Sequence, residues 1–200
     1  ANRSSKCRKL HNLANSVIIF DEAQMLPLCH LRPCVAAMAS LAEYVGSTLV
    51  LCTATQPSLS DLLRTYAPGH TVMELCPQTE EIYDRFRRVT FRQAGVLEDD
   101  ALTERLSNHR QVLCVVNSRR AAQQIFDRLP KEGCFHLSTL MIPTQRQAIL
   151  EEIRQRLKDG EPCRVVSTSL IEAGVDVDFP TVYRELAGLD SILQAAGRCN

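Results

Sequence analysis

Two adjacent carboxylates follow the first apolar run of the chain, in the stretch SVIIFDEAQMLP at residues 16–27. Asp21 and Glu22 come directly after four apolar residues, at 17–20. At the end of a strand, one carboxylate can hold a Mg²⁺ ion that bridges nucleotide phosphates, and the next can orient or deprotonate the attacking water. The same pattern also fits acidic residues that begin an ordinary loop. Phosphoryl-transfer chemistry therefore needs support from other residues at the same edge.

Three more polar stretches follow apolar runs: TAT at 53–55, STSLIEAGVDVD at 167–178 and QAAGR at 194–198. Each is a weak signal when it is taken alone. Open α/β sheets bind their ligands at the carboxyl ends of parallel strands. In this order along the chain, the stretches predict one ligand-binding edge on each of two successive lobes.

Hydrophobic periodicity predicts the elements that position these stretches. The predicted strands are 17–20, 48–52, 71–75, 89–91, 111–116, 134–137, 164–168 and 181–185. The predicted helices are 33–46, 60–66, 119–129, 143–160 and 189–196. Alternating strands and helices favour parallel sheets with right-handed crossovers. The unbroken run at 17–20 further predicts a strand that is buried on both faces.

The predicted fold class is therefore α/β, with two parallel-sheet lobes. We assign residues 1–80 to the first lobe, 81–95 to an interdomain connection and 96–200 to the second lobe. The chain starts without Met and stops at GRCN, from which we expect a fragment of a longer protein.

Composition narrows the class of protein. The formal net charge of zero argues against nucleic-acid binding through bulk electrostatics alone, but not through placed hydroxyls, amides and arginines. The nine cysteines include no CxxC pair, so we expect reduced thiols, with Cys52 and Cys114 as small core residues. No apolar run approaches the ~20 residues of a bilayer span, and no signal peptide is visible. We expect a cytoplasmic protein that does not enter membranes.

The polar stretches together resemble motifs II, III, V and VI of superfamily-two helicases. The sequences DEAQMLP, LCTATQP, VVNSRRAAQQIFDRL, STSLIEAGVDVDFP and QAAGRCN are similar to those of the CRISPR-associated helicase and nuclease of type I interference systems. The similarity covers nearly the whole chain. It implies two RecA-like lobes that clasp ATP, with the first lobe incomplete in this sequence.

The resemblance implies a role for each matching residue of the first lobe. Asp21 would coordinate Mg²⁺, and Glu22 would activate the hydrolytic water. Gln24 would hydrogen-bond to the other lobe or to motif III. Thr53 and Thr55 would couple lobe closure to hydrolysis through their hydroxyls, although threonines at such a turn can also simply cap it.

In the second lobe, the resemblance implies contacts to both nucleic acid and nucleotide. Thr168 would donate to a nucleic-acid phosphate, and the motif IV residues Asn117 and Ser118 would touch the DNA backbone. Gly174 would allow close backbone approach, or would be an ordinary turn glycine. Asp176 would meet the nucleotide ribose or the facing lobe.

The stretch at 194–198 matches the Gln-x-x-Gly-Arg core of motif VI. The resemblance implies that Gln194 belongs to the catalytic site and that Arg198 is an arginine finger, which neutralises charge on the transferred phosphoryl group. A solvated helix arginine is the alternative for Arg198.

The phosphate-binding loop G-x-x-x-x-G-K-[ST] is absent from this sequence, because no Gly-Lys pair occurs in it. The family places this loop, and a His-Asp nuclease domain, upstream. The resemblance implies a parent protein that uses ATP and Mg²⁺ to move along single-stranded DNA and is recruited by an RNA-guided CRISPR surveillance complex. We expect the isolated chain to be inactive. Two alternatives remain: another superfamily-two motor, such as an RNA helicase or restriction translocase, and a noncatalytic nucleic-acid-binding fragment.

Overall fold

The computed structural model describes residues 10–53, 59–171 and 175–200. The chain divides into two units, Ala1–Thr79 and Glu80–Asn200. The strands within each unit are parallel, which confirms the predicted α/β fold class. Within the described ranges, no helix has both the length and the apolar content that crossing a bilayer requires.

The first unit is built on two strands and two helices. Strand β1 (Val17–Phe20) pairs in parallel with β2 (Thr48–Leu51), and α1 (Leu31–Val45) connects them. The short helix α2 (Ser60–Tyr66) packs against α1. Gly46 ends α1 in the left-handed conformation (φ 67°), where a Cβ atom would lie 2.7 Å from Oδ1 of Asn15. Glycine is therefore the residue that fits this turn.

The prediction that β1 is buried on both faces is wrong. Val17 and Ile19 are 65% and 64% exposed, whereas Ile18 and Phe20 are half-buried. Among the described residues this sheet has two strands, too few to form the interior of a parallel sheet that is covered on both faces. Cys52, at the end of β2, is likewise exposed and not the core residue we predicted.

The predicted strands 71–75 and 89–91 are also wrong, because both segments lack regular structure. Val72, Met73 and Phe91 are exposed. A segment of residues with high strand propensity forms a strand only where a neighbouring strand pairs with it. Two helices instead flank the irregular middle of the chain, α3 (Thr79–Arg85) and α4 (Asp99–Ser107), and the sequence analysis missed both.

The second unit has a four-stranded parallel sheet in the order β4-β5-β3-β6. The strands are β3 (Gln111–Val115), β4 (Cys134–Leu137), β5 (Cys163–Ser167) and β6 (Val182–Arg184). Helices α5 (Arg119–Arg128), α6 (Pro143–Lys158) and α7 (Leu189–Ala196) follow β3, β4 and β6. These strands and helices were all predicted, with small differences at their ends.

Both faces of this sheet are covered. One core contains Leu113, Val165 and Phe179 and packs against α6. The other contains Val112, Cys114 and Val166 and packs against α4 and α5. Residues along β3 and β5 alternate between the two cores, so these strands are buried on both faces except at the half-buried Gln111 and Arg164.

Candidate functional site

The two strands of the first unit bring the DEAQ turn next to the end of β2. Their register places Phe20 opposite Leu51, and the backbone N–H of Cys52 donates to the carbonyl of Phe20 at 2.8 Å. The N–H of Ala23 then donates to the carbonyl of Cys52 at 3.0 Å. Thr53 follows directly and is half-buried. Motif II and the start of motif III therefore meet at one sheet edge; Thr55 lies outside the described residues.

The backbone of the DEAQ turn is unusual at Glu22. This residue adopts the left-handed conformation (φ 52°, ψ 45°), which is uncommon for a residue with a side chain and costs on the order of 1–3 kcal/mol. The Glu22 carbonyl accepts a hydrogen bond from the N–H of Met25 at 2.8 Å. The tight turn keeps Asp21 and Glu22 at the end of β1, and both are exposed to solvent.

Hydrogen bonds inside the turn orient its polar side chains. Oδ1 of Asp21 accepts from the N–H of Glu22 at 3.0 Å. The amide Nε2 of Gln24 donates to the carboxylate of Glu22, so Gln24 contacts a residue of its own motif. Its Oε1 atom is buried without a hydrogen-bond partner among the described residues, which leaves an acceptor available.

The residues of this edge fit a magnesium ion that is shared with phosphates. Asp21 supplies exposed carboxylate oxygens, the donors that Mg²⁺ prefers. The described residues contain no group of three or more His, Cys, Asp or Glu side chains that could hold a metal. Mg²⁺ at Asp21 would therefore take most of its ligands from water and phosphate, as is usual for nucleotide-bound magnesium.

The carboxyl edge of the second sheet carries Thr168, directly after β5. Thr168 is only 6% exposed. Its carbonyl accepts from Oγ of Ser167 at 3.0 Å. The place of Thr168 directly after β5 puts it at the carboxyl edge of the sheet, where α/β proteins bind their ligands.

The two motif IV residues lie at the same edge but already make internal bonds. Oγ of Ser118 accepts from the N–H of Ala121 at 3.1 Å and so caps α5. The Asn117 side chain donates to the carbonyl of Leu186 at 2.8 Å and accepts from Nη1 of Arg184 at 2.7 Å. Sequence reasoning missed this partner segment, although its charged residues stand at the end of the predicted strand 181–185.

Three further predicted residues, Asp176, Gln194 and Arg198, lie beside α6 or at α7. Asp176 is exposed in an open groove of about 380 Å³ beside Arg154 and Lys158, and its carbonyl accepts from Nε of Arg154 at 3.1 Å. The half-buried Gln194 belongs to α7, and the half-buried Arg198 follows that helix. Gly174 lies outside the described residues.

A short backbone bridge brings the end of motif V to motif VI. The N–H of Phe179 donates to the carbonyl of Arg198 at 2.8 Å, and the N–H of Asn200 donates to the carbonyl of Phe179 at 3.0 Å. Phe179 is fully buried, so its side chain anchors this bridge in the core. The segment that contains Asp176 and the segment that contains Arg198 are therefore neighbours.

Comparison with known proteins finds similar sequences in one family. Residues 108–200 match the family of the C-terminal part of the CRISPR-associated nuclease/helicase Cas3. Curated Cas3 nuclease/helicases are 53% identical over 53 residues in Haloferax volcanii, and 32% identical over 94 residues in Methanothermobacter thermautotrophicus. These matches cover 26% and 46% of this chain, and 6% and 11% of the relatives.

Solved structures share the fold across nearly the whole chain. The crystal structure of T. fusca Cas3-ADP superposes with a TM-score of 0.68 and 17% identity over 96% of this chain and 28% of its own. A CRISPR RNA-guided surveillance complex, pre-nicking, gives a TM-score of 0.63 at 19% identity over 90% and 28%. The DUF1998 helicase MrfA bound to DNA gives 0.57 at 16% identity over 92% and 28%.

The chain thus spans about a quarter of the length of the solved chains that it matches. Residues 108–200 are thus similar to the C-terminal part of Cas3 nuclease/helicases, and nearly the whole chain shares the fold of the T. fusca Cas3 structure.

Proposed function

We propose that this chain is part of an ATP-dependent motor that moves along single-stranded DNA in CRISPR antiviral defence. The observation that carries the proposal is the edge of the first sheet, where the exposed carboxylates of Asp21 and Glu22 lie beside the start of motif III. Adjacent carboxylates at this position suit nucleotide hydrolysis. The fold similarity to T. fusca Cas3-ADP supports a nucleotide as the ligand.

In this proposal the first unit supplies the groups that act on ATP. Asp21 would hold Mg²⁺, which would supply positive charge next to the phosphates. Glu22 orients and deprotonates the attacking water. Gln24 keeps the Glu22 carboxylate in place through the bond from its amide, and Thr53 and Thr55 link this edge to the state of the nucleotide.

The second unit supplies contacts to the DNA backbone and to the nucleotide. Thr168, directly after β5 at the carboxyl edge of the second sheet, donates its hydroxyl to a phosphate. Ser118 lies at the same edge, and Gly174 and Asp176 belong to motif V. The guanidinium group of Arg198, with Gln194 one helical turn before it, stabilises charge on the transferred phosphoryl group.

Single-stranded DNA and an RNA-guided surveillance complex are the proposed partners. The structural relatives include one helicase bound to DNA and one chain of a CRISPR RNA-guided surveillance complex. The formal net charge of zero favours a small number of placed backbone contacts, which give little sequence specificity. Target choice would then come from the guide RNA of the recruiting complex.

The isolated chain is proposed to be inactive, because its sequence contains no Gly-Lys pair and hence no phosphate-binding loop. Without that loop, the backbone amides and the lysine that hold the β and γ phosphates are missing.

Steady-state phosphate release tests the proposal. In the full-length protein, Glu22→Gln should lower DNA-stimulated ATP turnover by about 10²- to 10⁴-fold, the usual contribution of a general base. Glu43→Gln, at an exposed site on α1, is the matched control and should leave turnover unchanged. Stimulation by RNA rather than single-stranded DNA would favour an RNA helicase.

Two outcomes would contradict the proposal. One is full turnover in the Glu22→Gln protein. The other, which would overturn the proposed inactivity of the isolated chain, is DNA-stimulated turnover by these 200 residues that is lost in Glu22→Gln.

A further inference from the structure

The segments that follow β3 and β6 are joined by side chains as well as by the backbone ladder. The two strands lie side by side, with Val115 opposite Arg184, so both end at the same edge of the sheet. The N–H of Glu185 continues the ladder by donating to the carbonyl of Val115 at 2.9 Å. Asn117 lies two residues beyond β3 and faces the residues that follow β6.

Asn117 bonds to this neighbouring segment at three points. Its backbone N–H donates to Oε2 of Glu185 at 2.6 Å, and its Nδ2 donates to the carbonyl of Leu186 at 2.8 Å. Its Oδ1 accepts from Nη1 of Arg184 at 2.7 Å. The same Nη1 atom donates to the carbonyl of Glu185 at 3.0 Å. We call these four residues the Asn117 clasp.

The clasp depends on an amide at position 117. An amide offers a donor and an acceptor on one planar group, and Asn117 uses both, toward Leu186 and Arg184. Aspartate would keep the acceptor for the guanidinium group but would lose the donor, and alanine would lose both. Two of the three bonds that Asn117 makes have a charged partner, Glu185 or Arg184, which makes them stronger than bonds between neutral groups.

The clasp holds a segment that burial does not hold. Leu186 and Leu189 are 86% and 69% exposed, so their side chains do not anchor the chain between β6 and α7. Gly188 precedes α7 and offers no side-chain cap. Beyond the other end of the helix, the backbone bonds between Phe179 and Arg198 supply an anchor. The clasp therefore holds the chain at residue 186, three residues before α7 begins.

We propose that Asn117 is a positioning residue: it ties the edge that carries Ser118 and Thr168 to the start of α7, and does not itself bind nucleic acid. This role differs from the DNA contact that the family resemblance implies for Asn117. A phosphate that displaces the backbone at 117–118 would move Glu185 through the bond from the Asn117 N–H. The step from there to catalysis by Arg198 rests on the proposed function.

Hydrogen–deuterium exchange of this 200-residue chain tests the clasp without any need for catalysis. Asn117→Ala should speed exchange in peptides that cover residues 186–196 by roughly tenfold, because local opening becomes easier when these bonds are lost. Asn117→Asp retains the bond from Arg184 and should therefore give a smaller increase in the exchange rate. This variant replaces the alanine variant in the test if the alanine variant does not fold. Asn108→Ala, at an exposed asparagine after α4, is the matched control. Unchanged exchange at 186–196 in both Asn117 variants would overturn the proposal.

Kinetics of the full-length protein then separate positioning from direct binding. Asn117→Ala should lower the kcat of DNA-stimulated ATP turnover by roughly 2- to 30-fold. The Kd for single-stranded DNA should stay within about twofold of the wild-type value. Weaker binding of single-stranded DNA, with unchanged hydrogen–deuterium exchange at residues 186–196, would show that Asn117 contacts DNA and would refute the positioning role. If the wild-type protein shows no ATP turnover, the proposed function fails, and the exchange experiment still decides whether the clasp exists.

Discussion

Similar apolar strands differ in burial between the two units. In the second unit, residues Val112 to Val115 of β3 are buried on both faces. In the first unit, β1 is also an unbroken apolar run, yet Val17 and Ile19 lie on an exposed face. The difference lies in what surrounds each strand. β3 has a strand on either side and helices above and below, whereas β1 pairs with one strand among the described residues.

An apolar run is often taken to predict two properties together, strand formation and burial on both faces, but these have different requirements. Forming a strand requires a neighbour with which to share a hydrogen-bond ladder, and one such neighbour is sufficient for β1. Burial on both faces requires further layers from elsewhere in the structure. The units should therefore differ in every property that depends on burial.

Thiol reactivity should show the largest difference. Burial raises the pKa of Cys114 and of Cys163, both in the second unit, to about 12, from an ordinary value of 9.0. A rise of three units lowers the thiolate fraction at pH 8 by about a thousandfold, and the thiolate is the reactive form. Cys29, Cys52 and Cys76 of the first unit are exposed. With iodoacetamide, mass spectrometry should find these three labelled long before the two buried thiols.

Denaturation provides the control for this labelling, because in urea all of these thiols should react at similar rates. Labelling of Cys114 in the native chain as fast as that of Cys52 would show that the second core opens readily and would remove the contrast between the units.

Matched isoleucines give the next largest effect. Ile153 on α6 is fully buried, and Ile19 on β1 is 64% exposed. Ile153→Ala should lower the free energy of unfolding of the second unit by about 2–5 kcal/mol, through lost burial and the cavity that remains. Ile19→Ala should cost less than about 1 kcal/mol. Urea denaturation followed by circular dichroism measures both.

A loss at Ile19 as large as that at Ile153 would indicate that the outer face of β1 is covered in solution. The contrast in burial between the two units would then not hold in solution.

The sequence predicted the elements of the second unit well because local and tertiary signals agree there. The helix at 189–196 and the strand at 134–137 have the predicted bounds, since each apolar face meets a core. The strand predicted at 71–75 is absent because none of the described segments pairs with these residues. Helix α4 was missed although Asp99 and Asp100 in its first turn and Leu102 and Leu106 on one face were readable signals.

The candidate site was predictable in its composition but not in its internal bonds. The order of the motifs placed Asp21, Glu22 and Thr53 at one edge, and the parallel pairing of β1 and β2 brings them there. No sequence pattern indicates the left-handed backbone of Glu22 or the bond from Arg184 to Asn117. Both depend on segments that meet only through tertiary structure, the latter between residues 67 positions apart.

The smallest predicted effect concerns a histidine at the edge of the second core. His136 on β4 is half-buried, and its ring stacks on Phe126 with a centroid distance of 5.6 Å. Burial lowers the pKa of His136 below its usual 6.5, against the opposing effect of Asp127. Its Nε2 atom is buried and has no hydrogen-bond partner in the described part of the chain, so the fold favours the neutral ring.

Stability should therefore fall in acid. Below a pH of about 6.5 the unfolded chain binds a proton at this histidine that the folded chain resists, so the stabilising contribution is complete above that pH and is lost as the pH falls through the lower folded pKa. His136→Phe keeps an aromatic ring against Phe126 and removes the titration. The free energy of unfolding of this variant, relative to that of the wild type, should therefore be higher at pH 5 than at pH 8. Urea denaturation at both pH values measures the difference. An equal difference at both pH values would mean that His136 is as well hydrated as an exposed side chain, and that the edge of the second core resembles the open face of the first sheet.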